Sequence, residues 1–394
     1  MKPLRTMESL EVSGKRVLLR LDLNVPIKDG VVVDDTRVRE AAPTVRLLAE
    51  RGAIVVACSH LGRAKGKPDP ALSLAPVAPV LAQHAGHPVG FVPDVAGEVA
   101  MAAVTAAQPG DVLLLENLRF EPGETANDPE FCARLARLAQ VYVNDAFGTA
   151  HRAHASTAGV AQLFTARAAG PLMARELHAL GTVRDNPERP FVAVVGGAKI
   201  SGKLEALQAL VEKADTLALV GGMANTFLLA QGHEMGTSLV ERDLVDTARA
   251  ILARAAERGA TVILPEEVVV ATSPEAPAGQ VVPLGSIPAD HMVLDVGPAT
   301  IARIQSALAA ARTVFWNGPA GVFERPPFAA GTLAIAQAMA ASAAFTVVGG
   351  GESVAAVHQA GVAGQLSHVS TGGGASLEFL GGATLPGVAV LEEA

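Results

Sequence analysis

Arg37, His60, Arg63, Arg119 and Arg152 each stand close to the end of a short apolar run, and His151 and His154 flank the last of them. A guanidinium offers paired N–H donors that match a carboxylate or phosphate, so several delivered to one place form a site for a compact anion. Singly, each would read as an ordinary surface arginine; their recurrence at equivalent places argues for a shared site. The two histidines lie three residues apart, but no third ligand at suitable spacing accompanies them. Hydrogen bonding to phosphate or within the loop is therefore the preferred reading over a metal centre.

The second half of the chain carries glycine clusters instead: Gly196-Gly197, Gly221-Gly222, Gly349-Gly350-Gly351 and Gly372-Gly373-Gly374. Gly197-Ala198-Lys199-Ile200-Ser201-Gly202-Lys203 fits the first seven positions of a P-loop, but Leu204 stands where that motif needs a hydroxyl for magnesium. Glycines that let a ligand approach the backbone, a helix N-terminus and two lysines still indicate a phosphate site. Asn317 to Glu324 and Gly349 to Ser353 are further glycine-rich strand-to-helix turns, and neither has the dinucleotide fingerprint. Glu324 could hold ribose hydroxyls and Glu352 a magnesium ion; alone, each would read as a solvated acid at a helix start.

To position these groups the chain must supply strand ends. Arg16–Leu21, Ile54–Ala57, Val112–Leu115 and Val141–Val143 in the first half are continuous apolar runs followed by polar residues. Phe191–Val195, Leu217–Val220, Val293–Leu294, Val314–Trp316 and Phe345–Val348 repeat the habit in the second half. Such runs predict buried parallel strands with helices between them, and ligands then bind outside the carboxyl ends. Asp34-Asp35-Thr36 reads as a helix cap that places Arg37 in an opening turn. Gly170–Leu180 reads as a helix begun by Pro171, and Asp185–Pro190 as the loop after it. That break favours two sheets over a single eight-stranded barrel.

At 394 residues the chain exceeds what one core usually serves, which also predicts two domains. A formal charge of -8 argues against a general nucleic-acid binder and leaves the local arginines for a small phosphorylated metabolite. Cys58 and Cys132 are too few for a disulfide framework and read as buried thiols of a reducing compartment. No basic-then-apolar leader or membrane-spanning apolar run is evident, so a soluble cytoplasmic protein is expected.

The ordered set of segments resembles the phosphoglycerate kinase family along essentially the whole chain. The matching stretches are Arg20–Pro26, Asp35–Arg37, Ser59–Arg63, Glu116–Phe120, Asn144–Ser156, Gly196–Lys199, Gly222–Phe227, Asp295–Pro298, Trp316–Glu324 and Ser370–Ser376. The resemblance implies an α/β protein of two Rossmann-like parallel-sheet domains joined by a helix and hinge. It places a phosphoglycerate-binding domain at 1–169, a linker helix at 170–186, a nucleotide-binding domain at 187–374 and a tail at 375–394 that packs back toward the first domain. It implies transfer of phosphoryl between 1,3-bisphosphoglycerate and MgADP, giving 3-phosphoglycerate and MgATP, by a monomer that binds no nucleic acid and no membrane.

By the same resemblance Asp22, Asn24, Arg37, His60, Arg63, Arg119 and Arg152 hold the phosphoglycerate. Gly197, Lys199, Lys203, Gly222, Asn317, Pro319, Glu324, Gly350, Gly351, Glu352 and Ser353 match the nucleotide side, with Glu352 on magnesium. Arg37, Lys199 and the backbone at Gly350 and Gly373 are the expected stabilisers of the moving phosphoryl group. Two positions depart from the family pattern: Gly202 replaces a common acidic residue, and Glu352 a usual aspartate. A two-lobed NAD-linked oxidoreductase and a non-catalytic phosphometabolite-binding protein remain as alternatives.

Overall fold

The computed structural model describes residues 4–393. The chain divides into two compact units: residues up to Leu177 together with the segment from Thr384, and His178–Ala383.

In the first unit, strands β1 (Arg16–Arg20), β2 (Ile54–Cys58), β3 (Gly90–Val92), β4 (Val112–Leu115), β5 (Val141–Asn144) and β6 (Arg167–Ala169) form one sheet. Their order is β3-β4-β2-β1-β5-β6, and each adjacent pair is parallel. Every residue of β2 and β5 is buried, which is why these strands read as unbroken apolar runs rather than alternating ones. Helix α1 (Thr36–Glu50) lays Val38, Ala41, Ala42, Val45 and Leu48 against this sheet at helical spacing. Its start differs in detail from expectation. Asp34 Oδ1 accepts the Thr36 N–H at 2.9 Å, whereas the Asp35 carboxylate turns to His84 Nε2 at 2.6 Å.

Past β4, the short helix α2 (Pro122–Ala126) buries Glu124 completely. Helix α3 (Pro171–Asp185) begins at Pro171 and contains the point at which the two units divide, between Leu177 and His178. Asp145, directly after β5, accepts the Met173 N–H at 2.9 Å and a hydrogen bond from the Thr44 hydroxyl. Burial raises the pKa of this carboxyl, while the hydrogen bonds to Thr44, Met173 and Leu172 favour its ionised form. The neighbouring Asn144 donates to the Gly387 carbonyl at 3.4 Å, and Gly387 N–H donates to Ala150 at 2.8 Å. The segment that joins the first unit thus begins at Thr384 rather than 375.

The second unit has β7 (Phe191–Val195), β8 (Thr216–Leu219), β9 (Thr261–Ile263), β10 (Glu267–Ala271), β11 (Gln280–Pro283), β12 (Met292–Val296), β13 (Thr313–Asn317), β14 (Phe345–Gly349) and β15 (His368–Val369). Six of them make a parallel sheet in the order β9-β8-β7-β13-β14-β15. The run around Val293–Leu294 is a correction to the sequence reading: β12 lies in a separate antiparallel sheet, β11-β10-β12. Antiparallel pairing with β10 decided its direction, and so short an apolar run carries no signal that separates the two cases.

Helices α4 (Leu204–Val211), α5 (Gly221–Ala230), α6 (Gly351–Gln359) and α7 (Gly374–Leu380) each follow a strand end or its loop. No described helix is long and apolar enough to cross a membrane. The turn into α5 shows why glycine is needed. Gly221 has φ +68°, and a Cβ there would lie 2.6 Å from the Pro319 carbonyl oxygen and 2.7 Å from Gly197 N. Gly221→Ala should therefore lower stability by about 1–3 kcal/mol, read as a smaller urea midpoint at unchanged slope. An unchanged midpoint would mean that the loops move apart at no cost.

Candidate functional site

Both parallel sheets place their polar residues at the carboxyl ends of the strands. In the first unit Arg37, on the opening turn of α1, reaches the Asp22 carboxylate with Nη1 at 3.1 and 3.2 Å and the Asn24 carbonyl at 3.3 Å. Asn24 Oδ1 in turn accepts Gly62 N–H at 2.9 Å, so the loops after β1 and β2 are tied together. Asn117 clamps the next loop: its Oδ1 accepts Leu61 N–H at 3.1 Å and Arg119 N–H at 3.0 Å. Arg119 donates to the Gly62 carbonyl, and its buried Nε finds no partner among the described residues. A buried guanidinium N–H left open is a donor awaiting an anion.

The electrostatics agree. Burial, then Arg152 and Arg20, hold the Arg119 guanidinium below its ordinary pKa. His60 is pushed well below the usual histidine range by burial and by Arg20, Arg119, Arg37 and His154. His154 falls to about 4 for the same reasons, burial first and Arg119 and Arg152 next. Hence Arg37, His60, Arg119, Arg152 and His154 feel one another, and both histidines are neutral at pH 7. Arg152 is exposed beside His151, with Nε 3.1 Å from His151 Nε2. Arg63 is exposed on the loop after Gly62, outside this set of mutual interactions.

In the second unit a cavity of about 530 Å³ opens beside the glycine turns. Gly197, Gly222, Pro319, Glu324 and Glu352 of the expected nucleotide residues line it. Leu239, Pro274, Met292 and Val322 supply an apolar wall that the motif reading did not find. These four come from separate stretches of sequence, and only folding collects them. Volume and mixed lining suit a ligand with an apolar ring and a charged tail. Asp295 also borders the cavity, and burial raises its carboxyl to about 6 against hydrogen bonds from Gly331, Val296 and Ala330.

The remaining expected residues divide into exposed groups and internal ties. Lys199, Gly351 and Glu352 are exposed. Gly350 precedes α6 at φ +91°, where a Cβ would meet Asn317 Nδ2 at 2.8 Å, and Gly373 precedes α7 at φ +54°. Ser353 is buried and accepts Gly318 N–H at 2.5 Å. Lys203 Nζ is turned inward, donating to Gly196 O at 2.7 Å and Asn317 Oδ1 at 2.6 Å, and Asn317 Nδ2 donates to Gly349 O at 2.8 Å.

The helix N-terminus expected to receive phosphate differs too. α4 starts at Leu204, and the N–H groups of Ile200 and Ser201 are already taken by Glu241 Oε2 at 2.6 and 3.2 Å. Gly202 is exposed with open space where a side chain would project. Sequence reasoning missed Glu241, and it missed Arg20 and Glu124 in the first unit. Arg20 alone left a signal, as a charge inside an apolar strand run.

The family model described as phosphoglycerate kinase matches residues 7–383. A phosphoglycerate kinase of Chloroflexus aurantiacus is 55% identical over 397 residues, with 99% of each chain covered. The solved structure of phosphoglycerate kinase from Coxiella burnetii superposes with a TM-score of 0.90 at 43% identity, covering 99% of each chain. That of phosphoglycerate kinase from Pyrococcus horikoshii gives 0.86 at 33% identity over 98% of each.

Burial lowers the Lys203 ammonium to about 8, with the Glu352 carboxylate working the other way. Near pH 8 a good part of it is therefore neutral in the free protein. Were a polyphosphate to bind beside it, the charged form would be restored and binding at pH 8 would take up protons. Calorimetric titration with ADP in buffers of different ionisation enthalpy should show that uptake, and Lys203→Met should abolish it. Binding heats independent of buffer would remove Lys203 from the phosphate contacts.

Proposed function

The chain belongs to the phosphoglycerate kinase family, and from that premise we propose which of its residues carry each part of the reaction. It is a glycolytic kinase, an enzyme of phosphoryl transfer between 1,3-bisphosphoglycerate and ADP. The chemistry explains the make-up of the two half-sites. One acceptor is a carboxylate and the other a nucleotide phosphate oxygen, and both are ionised at neutral pH. No general base is required, so the protein has to align the reactants and stabilise charge on the transferred group.

The observation that carries the assignment is the open, buried Nε–H of Arg119 within a group of cations and neutral histidines. In our reading Arg63, Arg119 and Arg152 take the 3-phosphate of phosphoglycerate, and Asp22, Asn24 and His60 orient the rest of the molecule. Arg37 faces the carboxyl end, where the phosphoryl group arrives. The cavity of the second unit holds the nucleotide: its apolar wall takes the base, Glu324 the ribose, and Lys199 and Lys203 the phosphates. Lys203 then has to leave Asn317, which its hydrogen bonds now occupy. Lys199 and the backbone at Gly350 and Gly373 stabilise the moving phosphoryl oxygens.

Magnesium fits the donor set as well. Glu352 offers one exposed hard carboxylate on the rim of the cavity, which leaves the other coordination positions to phosphate oxygens and water. When bound there, the ion supplies charge neutralisation to the phosphates. Because the half-sites belong to different units, direct in-line transfer with water excluded calls for a hinge between the units, and α3 and its flanks are where we place it. We expect a cytoplasmic monomer that binds neither nucleic acid nor membrane, a reading that the charge of -8 supports as regards nucleic acid.

A coupled assay, in which the acyl phosphate formed from 3-phosphoglycerate and ATP is reduced with consumption of NADH, tests the assignment. Arg37→Ala should lower kcat by ~10²–10³ while ADP affinity stays within twofold. Equal losses in both would remove Arg37 from the transfer step. Glu352→Gln should raise the magnesium concentration needed for half-maximal rate; an unchanged requirement would take the ion away from Glu352.

A further inference from the structure

We propose that Glu124, Ser156 and Arg20 form a buried positioning chain that fixes His60 as its Nε2–H tautomer, so that the phosphoglycerate meets one neutral N–H donor. This rests on the placement of that substrate at His60.

The chain runs through groups whose hydrogen-bond roles leave no choice. Arg20 closes strand β1 with only 1% of its surface exposed, and Glu124 on α2 has none. Two such charges are tolerated inside a protein only when paired and fully hydrogen-bonded. Ser156 stands between them. Its Oγ lies 2.8 Å from Arg20 Nε and 2.6 Å from Glu124 Oε1, and its N–H donates to Glu124 Oε2 at 3.0 Å. A guanidinium can only donate, so the serine hydroxyl accepts from Arg20 and must give its own proton to the carboxylate. Tyr142 holds Ser156 from the other side, its hydroxyl donating to the Ser156 carbonyl at 2.7 Å.

The far end of the guanidinium faces the substrate loop. Arg20 Nη2 lies 3.3 Å from His60 Nδ1. Since Nη2 carries only protons, Nδ1 must offer a lone pair, and the ring proton is left on Nε2. The histidine is buried and neutral, as its low pKa also requires. The opposite tautomer would set N–H against N–H at Arg20 and aim a lone pair at an anion. Glu124, Ser156 and Arg20 touch no substrate in this arrangement; they act through the imidazole.

The wild-type protein supplies the first test. Long-range proton–nitrogen NMR of histidine-labelled protein, with His60 assigned through His60→Asn, should show Nε2 protonated and Nδ1 bare at pH 7. A proton on Nδ1, or on both nitrogens, overturns the proposal without any substitution at Glu124, Ser156 or Arg20. Ser156→Ala should then raise KM for 3-phosphoglycerate roughly ten- to a hundredfold with KM for ATP unchanged, and should mix the tautomers of His60. Ser156→Thr, which keeps the hydroxyl, should restore both. A uniform fall in kcat with an unaltered His60 spectrum would reduce Ser156 to a structural role and overturn the proposal. If the tautomer is as stated but 3-phosphoglycerate leaves the His60 nitrogens unmoved, the substrate placement fails and not the proton order.

Discussion

Mutual repulsion among cations is the constraint to which the first unit is built. Burial, and then the neighbouring guanidinium groups of Arg20, Arg119 and Arg152, depress the protonation of His60 and His154, and burial followed by Arg152 and Arg20 does the same to Arg119. An arrangement of that kind stores affinity for an anion, but it persists only if the backbone refuses to relax. The refusal comes from a parallel sheet with both faces covered and from side-chain clamps at Asn24 and Asn117 that lock one loop to the next. Asp22 pairs with Arg37, Glu124 reaches Arg20 through Ser156, and both carboxylates offset part of the effect of burial and like charge on Arg119.

The second unit solves the opposite problem. It has few fixed charges at its cavity and relies on bringing backbone close to backbone. The turns at Gly196, Gly221 and Gly318 pack so tightly that a Cβ on any of them would come within 3 Å of a neighbouring main-chain atom. Asn317 and Ser353 hold those turns from within. The resulting surface sets glycine turns and the carboxylates Glu324 and Glu352 beside an apolar wall, so that the two ends of a ligand would meet different surroundings.

The dipeptide Asn144-Asp145 connects these local devices to the larger architecture. It ends strand β5, caps the first turn of α3 through Asp145 and ties the segment from Thr384 through Asn144. Two elements far apart in sequence are thereby fastened to one strand end. A buried carboxylate that accepts several hydrogen bonds has little freedom to move, and α3, the helix in which the units divide, inherits that fixed origin.

Much of this was legible from residue order. Parallel strands announce themselves as unbroken apolar runs because both faces are buried, and glycine announces a turn because few other residues follow it there. Strand ends therefore revealed Arg37, His60 and Arg119 on one side and the glycine turns on the other. Pairing direction was not legible at β12, since the partner strand settles it and lies outside the run. Nor were the apolar wall of the cavity, the inward turn of Lys203, the capture of two loop N–H groups by Glu241, or the Glu124–Ser156–Arg20 chain. Residue type and spacing determine what a side chain can donate, accept or bury, and so the class of chemistry. Which partner it meets, and hence which proton it carries and which charge stays open to a ligand, depends on contacts between distant segments that only the tertiary structure brings together.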